Sequence, residues 1–167
     1  LSYCLLPLSF GEYLAFKGMD APSPRELATK RTALVRHFHG YLGDGGFPEA
    51  VMTGNQELLK NYFRDIIQRD IVMRHRVRET DVLEHMALQL VSNAAKTMSI
   101  ASLKRLYGIS FELASAYVRY LKEAFLVFEV PQFSHSLKTQ QKALKKLYAV
   151  DTGMAGAISF RFSQEHG

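Results

Sequence analysis

Four lysines in one polar stretch are the residues best suited to chemistry with a partner molecule. They follow a predicted strand and precede a second one. Ammonium groups at such spacings can neutralise the phosphates of a nucleic-acid backbone without reading its bases. A solubilising loop would have the same composition, so both interpretations stay open. The lysines, together with one arginine on the preceding predicted helix, are the candidate nucleic-acid contacts: Arg119, Lys138, Lys142, Lys145 and Lys146.

The helix that carries Arg119 offers little support for base recognition. Glu112 stands at its start, and an acidic side chain at the tip of a helix repels phosphate. We therefore expect any nucleic-acid contact of this region to involve the backbone of the nucleic acid and not its bases.

A second basic cluster lies between residues 64 and 78, where five arginines occur. Asp65 with Arg69, and Asp70 with Arg74, are acid-before-base pairs four residues apart, which is typical of a solvated helix face. Alternatively, Arg69 or Arg74 reaches a phosphate, such as that of a nucleotide on a neighbouring subunit. Both interpretations stay open, and a nucleotide-sensing or inter-subunit contact is the second site hypothesis.

The motifs of common catalytic and metal sites are absent from the sequence. There is no GxxxxGK[ST], HExxH, CxxC or GxSxG. His37 and His39 would point about 200° apart on a helix, so they cannot share a metal ion from one face. The single cysteine, Cys4, is expected to be a small core residue. We expect no catalytic residue, no metal and no cofactor in this chain, and no ATP hydrolysis by it alone.

The composition is that of a globular protein with a modest basic excess. Lys and Arg number 21 against 16 Asp and Glu, a net charge of +5 that suits a nucleic-acid contact without requiring one. No apolar run of about 18 residues occurs, so we expect no membrane partner and a cytoplasmic location. Because the first residue is Leu1 and not Met, we also expect the chain to be a fragment of a larger protein.

Helix signals dominate the first hundred residues. Ser23-Pro24-Arg25-Glu26 is typical of a helix start, and the GDGGFPEAV segment after that helix is predicted to be a loop. Two further helices are predicted to begin near Asn55 and Asp81. The apolar stripes expected to face the core are, helix by helix, Leu27, Leu34, Val35, Phe38 and Tyr41; Leu59, Tyr62, Phe63, Ile66 and Ile67; and Val82, Leu83, Met86, Leu90 and Val91.

A helix-turn-helix is predicted next. Ser99 and Ser110 are expected to cap two short helices, Gly108 to end the first of them, and Leu103 and Leu106 to face inward. Residues 126–130 and 147–150 are predicted strands on either side of the lysine-rich stretch. The fold class is therefore mainly α: a helical segment followed by a winged helix-turn-helix with a small β-hairpin.

Five segments carry a family likeness: PLSFGEYL, GGFPEAV, YFRDIIQRDI, FLVFEVPQFS and KKLYAVDTGM. In that order they resemble the C-terminal half of prokaryotic predicted AAA+ ATPases. The resemblance implies four parts: residues 1–22 as the exit from an ATPase core, 23–97 as a helical linker, 98–150 as a winged helix and 151–167 as the start of a nuclease-like domain. It also implies a missing ATPase core as partner, with ATP and Mg²⁺ bound by the full-length protein, which would be an ATPase.

The function expected from these observations is coupling of nucleotide state to a partner through the winged helix, with DNA as the leading partner. The alternative is a protein-protein interaction or oligomerisation module, including a homo-oligomer, with no nucleic-acid role. The salt dependence of DNA binding separates the two, because an electrostatic complex weakens steeply as salt rises.

Overall fold

The computed structural model describes residues 5–19, 26–136, 138, 140 and 143–164. Within these residues the fold is mainly helical with a small antiparallel sheet of three strands, as the coarse fold class predicted. The chain divides into two compact units. Unit 1 is Leu1–Asn61 with Asp151–Gly167, and unit 2 is Tyr62–Val150.

The elements follow one another along the chain in a simple order. The helices are α1 (Phe10–Phe16), α2 (Glu26–Thr29), α3 (Arg31–Asp44), α4 (Pro48–Thr53), α5 (Gln56–Asp65), α6 (Thr80–Ser92), α7 (Ile100–Tyr107), α8 (Phe111–Glu123) and α9 (Thr152–Gln164). A π-helical segment, Ile66–Met73, follows α5. The strands are β1 (Thr97–Met98), β2 (Val127–Val130) and β3 (Lys145–Ala149).

The four segments implied by the family resemblance do not follow this division. The residues from Asp151 onward were expected to open a separate nuclease-like domain, but they belong to unit 1 and form α9, which packs on α3. The division into units thus joins the first and last parts of the chain.

The first predicted helix differs in several ways from the observed α2 and α3. Ser23, Pro24 and Arg25 lie outside the described residues, and a break at Lys30 separates the two helices. The predicted inward stripe is only partly correct. No residue of α3 is fully buried, although the ring of Phe38 packs edge to face against that of Phe10, with ring centres 5.2 Å apart.

The predicted GDGGFPEAV loop is shorter than expected. Asp44 still belongs to α3, and Gly45 follows it with φ +75°. Pro48 then begins α4, because its ring presets the φ angle of a first helical residue and its missing N–H would have had no partner there.

The second predicted helix is confirmed, although its winding changes. Asn55 accepts a hydrogen bond from the Glu57 N–H at 3.0 Å, and Leu59, Phe63 and Ile67 are buried. The helix becomes π-helical from Ile66, which the apolar spacing did not predict.

The caps of α7 and α8 lie where the sequence places them. The Ser99 and Ser110 hydroxyls each accept a backbone hydrogen bond at 3.1 Å, and Gly108 has φ +65°. Leu103 is buried, but the prediction for Leu106 was wrong, since it is 61% exposed. Tyr107, four residues after Leu103, takes the inner side instead, with its hydroxyl 2.6 Å from Gln89 Oε1, which leaves Leu106 on the flank of the helix.

The sheet has the order β1-β3-β2, and both pairings are antiparallel. The predicted pairing of the two strands is confirmed, whereas the two-residue β1 was not predicted. Strand β3 begins at Lys145, two residues earlier than predicted, so Lys145 and Lys146 are strand residues and not loop residues. Because side chains alternate along a strand, these two neighbours point to opposite faces of the sheet.

Candidate nucleic-acid interface

The positive charge of the chain is concentrated in unit 2. Residues 62–150 contain 14 Lys and Arg against eight Asp and Glu, an excess of six positive charges. Unit 1 contains seven against eight, a net charge of −1. The whole basic excess of the protein therefore belongs to the unit that contains the predicted contacts.

Lys145 lies on the inner face of the sheet and is already paired. Its ammonium group is 3.2 Å from Glu129 Oε2, and the ammonium of Lys122, on α8, is 2.7 Å from the same oxygen. Burial by itself would raise the pKa of the Glu129 carboxyl, but the two lysines outweigh it and lower that pKa. Lys145 thus has an internal partner that competes with phosphate.

Lys146 lies on the outer face of the sheet and is exposed. In the register of the sheet it stands opposite Thr97 on one side and Val130 on the other. Among the described residues it forms no salt bridge. Its ammonium group is therefore available to a phosphate, unlike that of Lys145.

The remaining predicted contacts of the wing are only partly described. Lys138 is exposed, and Lys142 lies outside the described residues. Both stay predictions as nucleic-acid contacts.

The exposed face of α8 is close to neutral. Arg119 is exposed, but its Nε lies 3.8 Å from Glu123 Oε1, and its guanidinium is 5.3 Å from the centre of the Tyr120 ring. At the start of the helix, hydrogen bonds from its own backbone N–H and from the Ser110 hydroxyl lower the pKa of Glu112. Glu112 therefore stays negatively charged in the first turn of α8. This is the end of a recognition helix that would have to enter the groove of a duplex.

The arginine cluster includes the π-helical segment. Arg69 and Arg74 are both exposed. Neither of the predicted pairs, Asp65 with Arg69 or Asp70 with Arg74, forms a salt bridge in the described structure, so that part of the prediction was wrong. The reason is that residues 66–73 are π-helical, with hydrogen bonds from residue i to i+5, so positions four apart no longer lie above one another as they do in an α-helix. The proposed nucleotide-sensing role of Arg69 and Arg74 stays a prediction.

Sequence reasoning missed two groups of residues that the fold makes available. Lys104 and Arg105 are exposed in the last turn of α7, and adjacent basic residues just before Gly108 were the signal that could have found them. Phe128 and Tyr148 stack on the outer face of the sheet, with ring centres 5.6 Å apart. No alternation of polarity in Leu126-Val127-Phe128 indicated that Phe128 faces outward.

Unit 1 contains a different polar cluster, built around Asp151. This carboxylate is 5% exposed and accepts hydrogen bonds from the backbone N–H of Gly46 and of Met154, both at 2.6 Å. Burial raises the pKa of Asp151, although these two hydrogen bonds and the nearby Gly153 N–H favour its charged form. The carboxylate caps the start of α9 and connects it to the glycine loop, which is residues 45 and 46 after α3.

Two tyrosine hydroxyls form further hydrogen bonds that hold α3 in unit 1. The Tyr13 hydroxyl donates to Asp44 Oδ2 at 3.0 Å, and burial together with this carboxylate raises the pKa of Tyr13 to about 12. The Tyr41 hydroxyl donates to the Leu8 carbonyl at 2.8 Å. Both tyrosine hydroxyls have hydrogen-bond partners within the protein, so we assign them a structural role.

The described residues show neither a cluster of metal ligands nor a membrane-spanning helix. No three His, Cys, Asp or Glu side chains converge as they would around a metal ion. None of the helices described combines the length and the apolar character that a membrane span requires.

A pH-dependent contribution to stability follows from Glu129. Because its folded pKa is lowered, its ion pairs stabilise unit 2 above pH 4.5, and this contribution is lost as the pH falls through the lowered pKa. We expect Glu129→Gln to reduce the free energy of unfolding by about 1 kcal/mol at neutral pH and by much less in acid. Urea unfolding of both proteins across this pH range measures the difference, and a difference independent of pH would contradict the ion-pair explanation.

Comparison with known proteins places the chain in a family. Residues 35–165 match the family model described as Domain of unknown function (DUF8612), and the chain belongs to this family. It is 33% identical over 172 residues to the uncharacterized protein MJ1544 of Methanocaldococcus jannaschii, covering 98% of this chain. It is 28% identical over 158 residues to an uncharacterized protein of Haemophilus influenzae, covering 90% of this chain. No solved structure matches the chain.

The comparisons correct the assignment to the AAA+ ATPases. The family that matches most of the chain is a domain of unknown function, and neither relative is described as an ATPase. Five short segments had suggested the ATPase family, but the family match over residues 35–165 and the similarity to MJ1544 over 98% of the chain take precedence. The missing ATPase core and the ATP and Mg²⁺ of a full-length ATPase followed from that resemblance alone and are not carried further. The chain spans 38% of the length of each of these relatives.

Proposed function

We propose that unit 2 is a winged helix-turn-helix that binds the phosphate backbone of nucleic acid. The order of its elements supports this architecture: α6, β1, α7, α8, β2 and β3, with a short capped turn between α7 and α8. The segment between β2 and β3 takes the place of the wing.

The charge distribution is the observation that carries the proposal. Unit 2 has an excess of six positive charges while unit 1 has a net charge of −1. A basic excess confined to one unit supports a polyanion-binding role for that unit, because solubility alone does not require such an asymmetry.

The contacts are expected to be with phosphates and not with base edges. Arg119 is engaged by Glu123, and Glu112 keeps phosphate away from the start of α8. Within the winged-helix segment, the cations that support a phosphate contact are instead Lys146 on the outer face of the sheet and Arg105 at the end of α7, where Lys104 lies close enough to Glu112 to lower its pKa. Binding should therefore depend strongly on salt and little on sequence.

The two adjacent lysines of β3 provide a matched test. Lys146→Ala is expected to lower the slope of log K against log salt by about 0.7 to 0.9, because one fewer counterion is released. Lys145→Ala should leave that slope nearly unchanged, because its ammonium group is held by Glu129. Fluorescence anisotropy with labelled DNA at several salt concentrations measures both.

The control for this test is the fold of each variant, checked by circular dichroism and urea unfolding. Equal effects of the two substitutions would contradict the assignment of Lys146 as the contact. The absence of any DNA binding by the unchanged protein at low salt would overturn the proposed function.

A protein-interaction module is the second candidate, and one observation favours it. Leu106 and Phe111, on either side of the turn between α7 and α8, are 61% and 49% exposed. Two large apolar side chains exposed on both sides of one turn favour a protein contact at this place. If the protein binds no DNA at low salt, and Leu106→Ser with Phe111→Ser abolishes self-association measured by analytical ultracentrifugation, this candidate is the correct one.

A further inference from the structure

The outer face of the sheet combines two aromatic rings with one exposed cation. Phe128 and Tyr148 are directly opposite each other in the register of β2 and β3, and their rings stack with an angle of 19° between the planes. In the neighbouring row Lys146 stands between Thr97 and Val130. Phe128 is 47% exposed and Val130 is 40% exposed, so this face is open among the described residues.

We infer that this face binds single-stranded nucleic acid by stacking a base on the Phe128–Tyr148 pair while Lys146 contacts the adjacent phosphate. The inference rests on the proposed function and specifies its substrate class. It adds a stacking contact, which the charge distribution alone does not require.

The spacing on the sheet suits this mode of binding. Lys146 and Tyr148 are two residues apart on one strand, a separation of about 7 Å along the strand, which is comparable to one nucleotide of an extended single strand. Basic grooves with aromatic side chains on which bases stack are the general solution for binding single strands without sequence preference.

A duplex cannot use the aromatic pair in the same way. Its bases are stacked on one another inside the helix, so only the phosphates and base edges are accessible. Unpaired bases can be splayed onto an aromatic side chain. The charge of unit 2 attracts both forms, and the two rings favour the single strand.

An aromatic pair across two strands also stabilises a sheet, and the test must separate this role from binding. Phe128→Ala removes one ring of the stack, whereas Phe16→Ala removes a phenylalanine of similar exposure, 45%, from α1 of unit 1. Tyr148→Phe keeps the ring and removes only the hydroxyl.

The experiment compares oligothymidylate, oligouridylate and a duplex of equal length by fluorescence anisotropy. We expect the unchanged protein to bind at least one single strand more tightly than the duplex. Phe128→Ala should weaken that binding by about 5- to 150-fold with the salt slope unchanged. Phe16→Ala should bind the single strand as the unchanged protein does, and Tyr148→Phe should retain the stacking contact. The two single strands separate DNA from RNA as the source of the ligand.

A direct readout of stacking completes the test. Ultraviolet light crosslinks thymine to an aromatic ring on which it stacks, and mass spectrometry should locate the crosslink at Phe128 or Tyr148. A crosslink confined to other residues overturns the inference.

The remaining outcomes distinguish this inference from the proposed function. If the protein binds the duplex at least as tightly as either single strand, or if Phe128→Ala changes nothing, stacking is excluded while backbone binding stands. If no polyanion binds at low salt, both the inference and the proposed function are overturned.

Discussion

Gly153→Ala is expected to reduce the free energy of unfolding by about 3 kcal/mol, because α9 approaches the glycine loop without room for a side chain. A Cβ atom at this position would lie 2.5 Å from the carbonyl carbon of Asp44, and it would also clash with the Gly45 nitrogen. Both are backbone atoms and cannot rotate away. Moving α9 outward would break the hydrogen bond between Asp151 and Gly46.

Gly156 provides the matched control on the same helix. No heavy atom lies within 4 Å of a Cβ built at this position. Gly156→Ala should therefore stabilise the protein by about 0.5 to 1 kcal/mol, since alanine loses less entropy than glycine on forming a helix. Urea unfolding followed by circular dichroism measures both. Equal effects of the two substitutions would show that the close approach of α9 to the glycine loop does not exist.

Asp151→Ala is expected to have an effect of similar size, about 3 kcal/mol, for a different reason. The substitution removes the acceptor for the backbone N–H groups of Gly46 and Met154, and each buried donor left without a partner costs about 1 to 3 kcal/mol. Hydrogen exchange should show lost protection at Gly46 and Met154. Retained protection at both amides would contradict this role of the carboxylate.

Asp151→Asn tests the same site while nearly conserving its shape. One carboxylate oxygen would be replaced by an amide nitrogen, which cannot accept a hydrogen bond from a backbone N–H. The substitution should also remove a pH dependence. Because burial raises the folded pKa of Asp151 above 3.8, the unchanged protein should lose stability as the pH rises from 3.8 through that higher value. The same loss in the Asn variant would contradict the assignment to Asp151.

Local chemistry explains why part of the fold could be predicted from the sequence. The hydroxyls of Ser99 and Ser110 accept hydrogen bonds from backbone N–H groups three residues further on. Gly108 adopts a left-handed backbone conformation, which is unfavourable for residues that have a Cβ atom. Such interactions are complete within one helical turn. The ends of α7 and α8 therefore follow from a few neighbouring residues.

The candidate interface was less predictable, because sequence proximity does not determine which way a side chain points. Lys145 and Lys146 look equivalent in the sequence, and the prediction treated both as wing residues. Strand β3 begins two residues earlier than expected, and its alternation directs Lys145 to Glu129 and Lys146 to the open face. The register of the sheet, set by distant strands, decides this difference.

The sequence by itself thus determined the mainly helical class, the caps of α7 and α8, the buried stripe of α5 and the pairing of β2 with β3. These features depend on local hydrogen bonds and on apolar periodicity. Only the tertiary structure decided that Asp151 bonds to Gly46, a residue 105 positions earlier in the chain. The same holds for the concentration of basic charge in one unit and for the opposite orientations of Lys145 and Lys146. The physical reason is that these properties depend on contacts between distant residues, whose energies are realised only after the chain has folded.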